Sequence, residues 1–184
     1  MIADSDENLE AEGMVLQQMM SRNVDGLIIA PCSYQWDHIQ HLYEHGLPIV
    51  CIDRYFEGLE IPFVSTDNYN GAYNATKHLI ENGHSIITCI QGVQHSTPNK
   101  LRVKGFKNAM EESGLQDCIV TGDDFSIQNG YLETPLSCIA QPIGDISKIA
   151  VKLLLSQINK EENKNKQVLL KPQMQLKKSV KRIV

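Results

Sequence analysis

The sequence has 184 residues, of which 42% are hydrophobic, and this is enough apolar material for one ordinary globular domain. Its formal net charge of −5 argues against a broadly basic surface, and so against a general affinity of the chain for nucleic acid or anionic membrane. A local basic cluster occupies positions 177–182, and such a run is typically a solvated tail.

The cysteines and the N-terminus indicate a compartment. The five cysteines are scattered, odd in number and mostly embedded in apolar runs, which predicts small buried hydrophobes in a reducing environment. The opening Met1-Ile2-Ala3 leads into acidic residues rather than a secretory signal, and no apolar run approaches the roughly 20 residues that span a bilayer. The expected location is the cytoplasm, without membrane contact.

The predicted elements begin with a helix capped by Ser5 or Asp6 and ending near Arg22. A buried strand at 27–31 and a helix at about 35–45 follow, and Gly46 ends that helix. Three histidines on this helix, at 38, 41 and 45, have the spacing of one face. No carboxylate or cysteine joins them at ligand spacing, so an exposed polar face is predicted and no metal site.

The stretch from 49 to 106 predicts a parallel sheet. Unbroken apolar runs at 49–52 and 86–90 are typical of strands buried on both faces, and a one-sided helix at 68–82 lies between them. Strand, helix and strand in this order give a right-handed crossover. In such sheets, ligands bind at the carboxyl ends of the strands, where 53–54, 66–67 and 92–102 fall.

The second half of the chain adds four predicted elements. They are a helix at 103–113, a strand at 118–121, a helix at 146–158 and a strand at 168–176. No Ser-His-Asp set, HExxH helix or nucleophile elbow appears in the sequence. No catalytic residue, cofactor or enzymatic activity is therefore predicted.

Seven segments, in this order, resemble the effector-binding part of the lac-repressor-type family of bacterial transcription regulators. They are NVDGLIIAP (23–31), LPIVCIDR (47–54), VSTDNYNGAYNATKHLIENGH (64–84), RVKGFKNAMEESGL (102–115), GDDFSIQNGY (122–131), LSCIAQPIGDISKIAVKLLL (136–155) and LKKSV (176–180). The resemblance implies an α/β, parallel-sheet fold like that of periplasmic binding proteins, with two Rossmann-like lobes of which the second is incomplete. The predicted division is 1–125, mostly the N-terminal lobe and continuing into elements of the second lobe, and 126–184, a remnant of the C-terminal lobe with the final strands.

The chain departs from the family pattern in three places. The helix-turn-helix headpiece is absent, as are the first strand and helix of the sensor domain, and a segment is missing between Thr134 and Pro135. Either the chain is a shortened relative or the sequence omits parts of the native polypeptide. Operator DNA is expected to bind only through a headpiece absent from this chain, and a homodimer is expected of the full-length form, because a palindromic operator needs two headpieces.

The resemblance singles out Arg102 as a ligand-binding residue. The matching arginine in the family hydrogen-bonds ligand hydroxyls or carboxylates, which suits a planar fork of donors that keeps its charge. Its alternative is a solvated arginine at a helix start. Ser96 and Asn99, in the preceding polar loop, are expected to add donors and acceptors, unless they are ordinary loop residues.

Two further ligand-binding residues are predicted at the ends of strands. Phe125 matches a position where the family often stacks an aromatic ring on the ligand, with core packing as the alternative. Asp53 can accept hydrogen bonds from sugar hydroxyls, although a surface ion pair with Arg54 explains it equally well. Asp67 and Asn68 are predicted to cap the helix that begins near Tyr69.

The function implied by the resemblance is a sugar- or small-metabolite-sensing domain of a DNA-binding repressor of carbohydrate utilisation genes. A stand-alone solute-binding protein of a sugar transporter shares the fold, but the missing signal segment and the match to VSTDNYNGA and RVKGF count against it. A sugar-modifying enzyme is a third class, because fold alone never excludes chemistry.

Overall fold

The computed structural model describes residues 1–32, 35–56, 58–92, 94, 96–121, 137–161 and 166–183. They fall into two compact units: unit 1 is Met1–Ser65 with Ile143–Leu170, and unit 2 is Thr66–Pro142 with Lys171–Val184. Each unit thus takes two segments of the chain, whereas the sequence predicted one boundary after position 125. That position lies outside the described residues, and the predicted division stays a prediction.

The helices and strands have the following bounds in chain order: α1 (Leu9–Ser21), β1 (Leu27–Ile29), α2 (Asp37–Glu44), β2 (Ile49–Ile52), β3 (Phe63–Thr66), α3 (Asn68–Glu81), β4 (Thr88–Gln91), α4 (Thr97–Glu112), β5 (Cys118–Thr121), β6 (Cys138–Ala140), α5 (Ile143–Ile158), β7 (Gln167–Leu170) and β8 (Gln173–Gln175). Among the residues that the structure describes, none of the helices combines the length and the apolar composition needed to span a bilayer.

Unit 1 is organised by a four-stranded sheet in the order β1-β2-β3-β7. The strands β1 and β3 both run parallel to β2, and their side chains alternate between two apolar clusters. Ile49 and Cys51 belong to the cluster that contains Leu16 of α1 and Ile39 of α2. Val50 joins the cluster that α5 covers. The strand at 49–52 is therefore buried on both faces, as the sequence predicted, and the parallel-sheet α/β fold is confirmed.

Unit 2 is built on the packing of α3 against α4. A cluster of Ile87, Phe106 and Met110 joins α4 to one face of the parallel pair β4–β5. A second pair, β6 with β8, is antiparallel. Pro172 separates β7 from β8, where the sequence predicted one strand at 168–176, because proline has no N–H to donate to a strand ladder.

The prediction that the strand at 86–90 is buried on both faces is wrong. Ile86 and Ile90 are 91% and 79% exposed. Cys89 of β4, and Ile87 just before that strand, belong to the cluster with Phe106 and Met110. Ile90 lies on the opposite face of β4 from Cys89, and among the described residues it joins no apolar cluster. An apolar run indicates a strand, but it does not show whether one or both faces of that strand are buried. The elements that pack on each face come from distant parts of the chain.

The five cysteines also differ in their exposure to solvent. Cys51 is buried, and burial raises the pKa of its thiol to about 12. Cys118 and Cys138 are exposed, contrary to the prediction of buried thiols. Cys118 is the register partner of Thr88 and so lies on the face of β4–β5 that carries the exposed Ile90.

Two helix starts also differ from prediction. α1 begins at Leu9 with Asn8 as its cap, because the side chain of Asn8 accepts the Ala11 N–H at 2.9 Å, while Asp6 and Glu7 have positive φ. α4 begins at Thr97 rather than near 103. The stretch 95–99 was predicted as a polar loop, but a serine followed by Thr-Pro is itself a helix start.

Candidate ligand-binding site

A cavity of about 310 Å³ lies in unit 2 beside the N-terminus of α3. Its wall combines polar groups from the start of α3 and from α4 with apolar groups from β6, and the lining residues are Thr66, Asp67, Asn68, Gly71, Ala72, Arg102, Ile139 and Gln141. A helix N-terminus presents backbone N–H groups that have no intrahelical acceptor. The cavity therefore has donors, acceptors and a fixed positive charge around one small space, which is the usual composition of a small-molecule site.

Arg102 is held in this wall by Asn68. The Nε–H of Arg102 donates to Asn68 Oδ1 at 2.8 Å, and Asn68 Nδ2 donates in turn to the backbone oxygen of Thr66 at 3.0 Å. Asn68 is only 4% exposed, whereas Arg102 is exposed to solvent. The bond at Nε orients the planar guanidinium, so its donor fork is fixed before any ligand arrives.

The role of Asn68 was not predicted, because an asparagine after Asp67 at a helix start has the pattern of a cap. The cap is Asp67 alone: its Oδ1 accepts the Asn70 N–H at 3.0 Å. Asn68 is the first residue of α3, and its amide turns inward to Arg102, 34 positions later. Only packing of α3 on α4 creates this contact, and a local pattern contains no sign of it.

Ser96 and Asn99 have structural tasks in α4. Ser96 is the N-cap, and its hydroxyl accepts the Asn99 N–H at 3.3 Å. The Asn99 side chain is buried at 5% exposure and donates to Gln91 Oε1 at 3.1 Å. Neither is among the described residues that line the Arg102 cavity. Their ligand contacts stay predictions, and so does the stacking role of Phe125, which lies outside the described residues.

Asp53 lies in unit 1, directly after β2, in the left-handed region with φ of 60°. Its N–H donates to the Val64 oxygen at 3.1 Å, and its own oxygen accepts the Ser65 hydroxyl at 2.6 Å. Backbone bonds to β3 thus hold a conformation that is uncommon outside glycine, asparagine and aspartate. Residues with an unusual backbone conformation are often found at functional sites. The ligand role of Asp53 stays a prediction.

Arg54 makes its ion pair elsewhere than predicted. Its guanidinium donates to both carboxylate oxygens of Glu7, at 2.6 and 2.9 Å, and to the backbone oxygens of Pro31 and Cys32 at 3.2 Å. This replaces the local pair with Asp53 that the sequence suggested. A bidentate arginine with two further carbonyl acceptors ties the residues before α1 to the ends of β1 and β2.

A buried carboxylate accompanies the histidine helix, contrary to prediction. Glu12 of α1 is 4% exposed; its Oε1 lies 2.8 Å from His38 Nε2 and its Oε2 accepts the Cys32 N–H at 2.8 Å. Burial, together with this carboxylate, raises the pKa of the Cys32 thiol to about 11. Glu12 thus connects α1 with α2 and with the segment that follows β1.

Replacing Glu12 by alanine is expected to destabilise unit 1 by about 1–3 kcal/mol, because the buried N–H of Cys32 loses its acceptor and His38 its partner. Urea unfolding of the variant measures this change. Glu10 is exposed on the same helix, and Glu10→Ala should change stability by no more than about 0.5 kcal/mol. Equal effects of the two substitutions would show that these contacts of Glu12 contribute nothing.

Comparison with known proteins identifies the family of this chain. The family model described as periplasmic binding proteins and sugar binding domain of LacI family matches residues 1–136. The ribose operon repressor of Halalkalibacterium halodurans is 34% identical over 122 residues, which is 66% of this chain and 36% of that protein. Catabolite control protein A of Priestia megaterium is 30% identical over 132 residues, which is 70% of this chain and 40% of that protein.

A solved LacI family transcriptional regulator from Enterococcus faecium, with bound ribose, superposes with a TM-score of 0.85. It is 21% identical and the match covers 100% of this chain and 88% of that one, which shows the shared fold. The fold is that of an α/β protein of the periplasmic-binding-protein type. The chain belongs to the family of periplasmic binding proteins and LacI-type sugar-binding domains. It spans 36% and 40% of the length of the two curated relatives.

Proposed function

We propose that these residues form the sugar- or small-metabolite-sensing part of a transcriptional repressor for carbohydrate utilisation. The observation that carries the proposal is Arg102, whose guanidinium is oriented by the buried Asn68 and faces a cavity of about 310 Å³. A fixed donor fork beside a helix N-terminus matches the acceptor-rich surface of a sugar, whose hydroxyl oxygens accept several hydrogen bonds at once.

Ribose is the first ligand to test. The relative from H. halodurans is named a ribose operon repressor, and the E. faecium regulator has bound ribose. Both names support a pentose, and the cavity lies at the lower end of the volumes that take small molecules. The predicted contributions of Asp53, Ser96, Asn99 and Phe125 belong to this same proposal.

The test is isothermal titration calorimetry of the 184-residue chain with ribose, with a thermal shift as a second readout. At a ribose concentration of 100 times Kd, ligand binding should stabilise the folded chain by about 2.7 kcal/mol. Sorbitol, an open-chain polyol, serves as the control and should give neither heat nor shift. Absence of binding to ribose and to a panel of pentoses and hexoses would refute the proposal.

The regulatory partners follow from the same proposal. A sensed sugar must bind one conformation of the protein better than another. The difference between these two sugar affinities sets how much sugar binding changes the affinity for operator DNA. Operator DNA is proposed as the partner of a helix-turn-helix headpiece and not of the residues described above, with a homodimer placing two headpieces on a palindrome. We place this regulator in the cytoplasm, where DNA is accessible, and assign it no catalytic step.

A further inference from the structure

Lysine side chains line a second hollow in unit 2, on α4. It has a volume of about 350 Å³, and its lining residues are Gln91, Gln94, Asn99, Lys100, Val103, Lys104, Lys107 and Asn108. These residues contain three ammonium groups, four side-chain amides and no carboxylate. None of them lines the Arg102 cavity, so the two spaces are separate.

The three lysines concentrate positive charge in a chain whose net charge is −5. They stand at i, i+4 and i+7 of α4, and like charges at such spacings destabilise a helix by about 0.2–0.5 kcal/mol per pair. Lys107 reaches Asp117 at 4.0 Å, the outer limit of an ion pair. Within the described residues, Lys100 and Lys104 form no ion pair, and an external anion would offset the repulsion between them.

Fixed amides connect the N-terminal end of this hollow to the sheet. Asn99 Nδ2 donates to Gln91 Oε1 at 3.1 Å, and Gln91 Nε2 donates to Thr121 Oγ1 at 2.9 Å. On the far side, Asn108 Nδ2 donates to the Tyr69 hydroxyl at 2.8 Å. These bonds anchor the ends of the lysine face on both neighbouring elements, so the charges are presented on a firm support rather than on a mobile loop.

We propose that this hollow, called here the α4 lysine site, binds a small anion that carries several negative charges, such as a compound with two phosphoryl groups. Lysine binds phosphate as a point charge with three donors. At a rise of 1.5 Å per residue, the first and last lysines are about 10 Å apart along the helix, and the middle one lies between them. Because lysine side chains are long and flexible, the three ammonium groups can converge on two linked phosphoryl groups, which carry more charge than one.

The test is titration of the 184-residue chain with inorganic pyrophosphate, followed by calorimetry at low ionic strength and repeated in added NaCl. Saturable binding that weakens as salt rises is expected. In the double variant Lys100→Glu with Lys104→Glu, Kd should rise by at least about tenfold, because two attractions become repulsions. Circular dichroism is the check that this variant stays folded.

A matched control exists on α5 of unit 1, where Lys148 and Lys152 are exposed and stand at the same i, i+4 spacing. Lys148→Glu with Lys152→Glu makes the same charge change and should alter Kd by less than about twofold. An equal loss in both double variants, or no saturable pyrophosphate binding by the native chain, would overturn the proposal. Binding of duplex DNA but not pyrophosphate would overturn it as well.

Discussion

Replacing Arg102 by alanine is expected to weaken ribose binding by about tenfold to hundredfold while unit 2 stays folded. Hydrogen bonds from a charged donor contribute about 1.5–3 kcal/mol, which converts to this range of Kd. The buried Oδ1 of Asn68 loses the Arg102 donor in this variant, which should cost about 1–3 kcal/mol, while the Asn68 amide keeps its bond to the Thr66 oxygen. Unit 2 is therefore expected to be destabilised but folded. Calorimetry measures the affinity, and circular dichroism the fold.

Replacing Arg102 by lysine separates shape from charge. Lysine keeps the positive charge but has no Nε–H to donate to Asn68 and cannot present a planar fork of donors. Ribose binding should therefore stay weak in Arg102→Lys. A lysine variant with native affinity would show that charge alone is enough and that the orientation by Asn68 has no role.

The control for both variants is Arg182→Ala, which removes an exposed arginine from the C-terminal tail. Ribose affinity should not change in this variant. If the native chain binds ribose and Arg102→Ala binds it equally well, the role of Arg102 is refuted while the sugar-sensing proposal survives. Pyrophosphate binding at the α4 lysine site should be unaffected by Arg102→Ala, because Arg102 does not line that hollow.

Elements with a complete local signal were predictable from the sequence. The apolar run at 49–52 predicted the strand β2 with its observed bounds, and Asp67 before a one-sided apolar pattern predicted the start of α3. The resemblance identified Arg102 through RVKGF, and the structure places it in a cavity wall. Each of these depends on residues that are neighbours in the chain.

Features that depend on distant residues were not predictable. The partner of Arg102 is Asn68 and that of His38 is Glu12, and the sequence separations of 34 and 26 leave no local pattern. The exposure of Ile90 depends on which elements cover β4, and the strand itself has the composition of a buried one. Packing between elements that are distant in the chain therefore determines the partners of Arg102 and His38 and the exposure of Ile90.

Gly105 sets the distance between α3 and α4, and Gly105→Ala is expected to be strongly destabilising. A Cβ at this position would lie 2.3 Å from the Tyr69 backbone oxygen and 3.0 Å from the Tyr73 nitrogen. Backbone atoms of a packed helix cannot yield as a side chain does, so the two helices must separate. Overpacking costs about 1–3 kcal/mol, which exceeds the helix propensity of up to about 1 kcal/mol that alanine contributes.

The same separation should weaken ribose binding. Gly105 lies one helical turn after Arg102, and Tyr69 directly follows Asn68, so moving one helix from the other lengthens the 2.8 Å bond that orients the guanidinium. Urea unfolding should give a lower free energy of unfolding, and calorimetry a higher Kd for ribose. A variant that loses stability but keeps full affinity would show that the arginine is oriented independently of the helix spacing.

Gly13→Ala is the matched control, because Gly13 lies inside α1 and a Cβ there meets nothing within 4 Å. The same substitution should stabilise the chain by about 0.5–1 kcal/mol through helix propensity alone. Opposite signs at the two glycines would establish that Gly105 is required for close approach rather than for backbone flexibility. If both variants are stabilised, α3 and α4 do not pack as closely as the 2.3 Å approach at Gly105 indicates. The orientation of the Arg102 guanidinium would then depend on its bond to Asn68 and not on the spacing of the two helices.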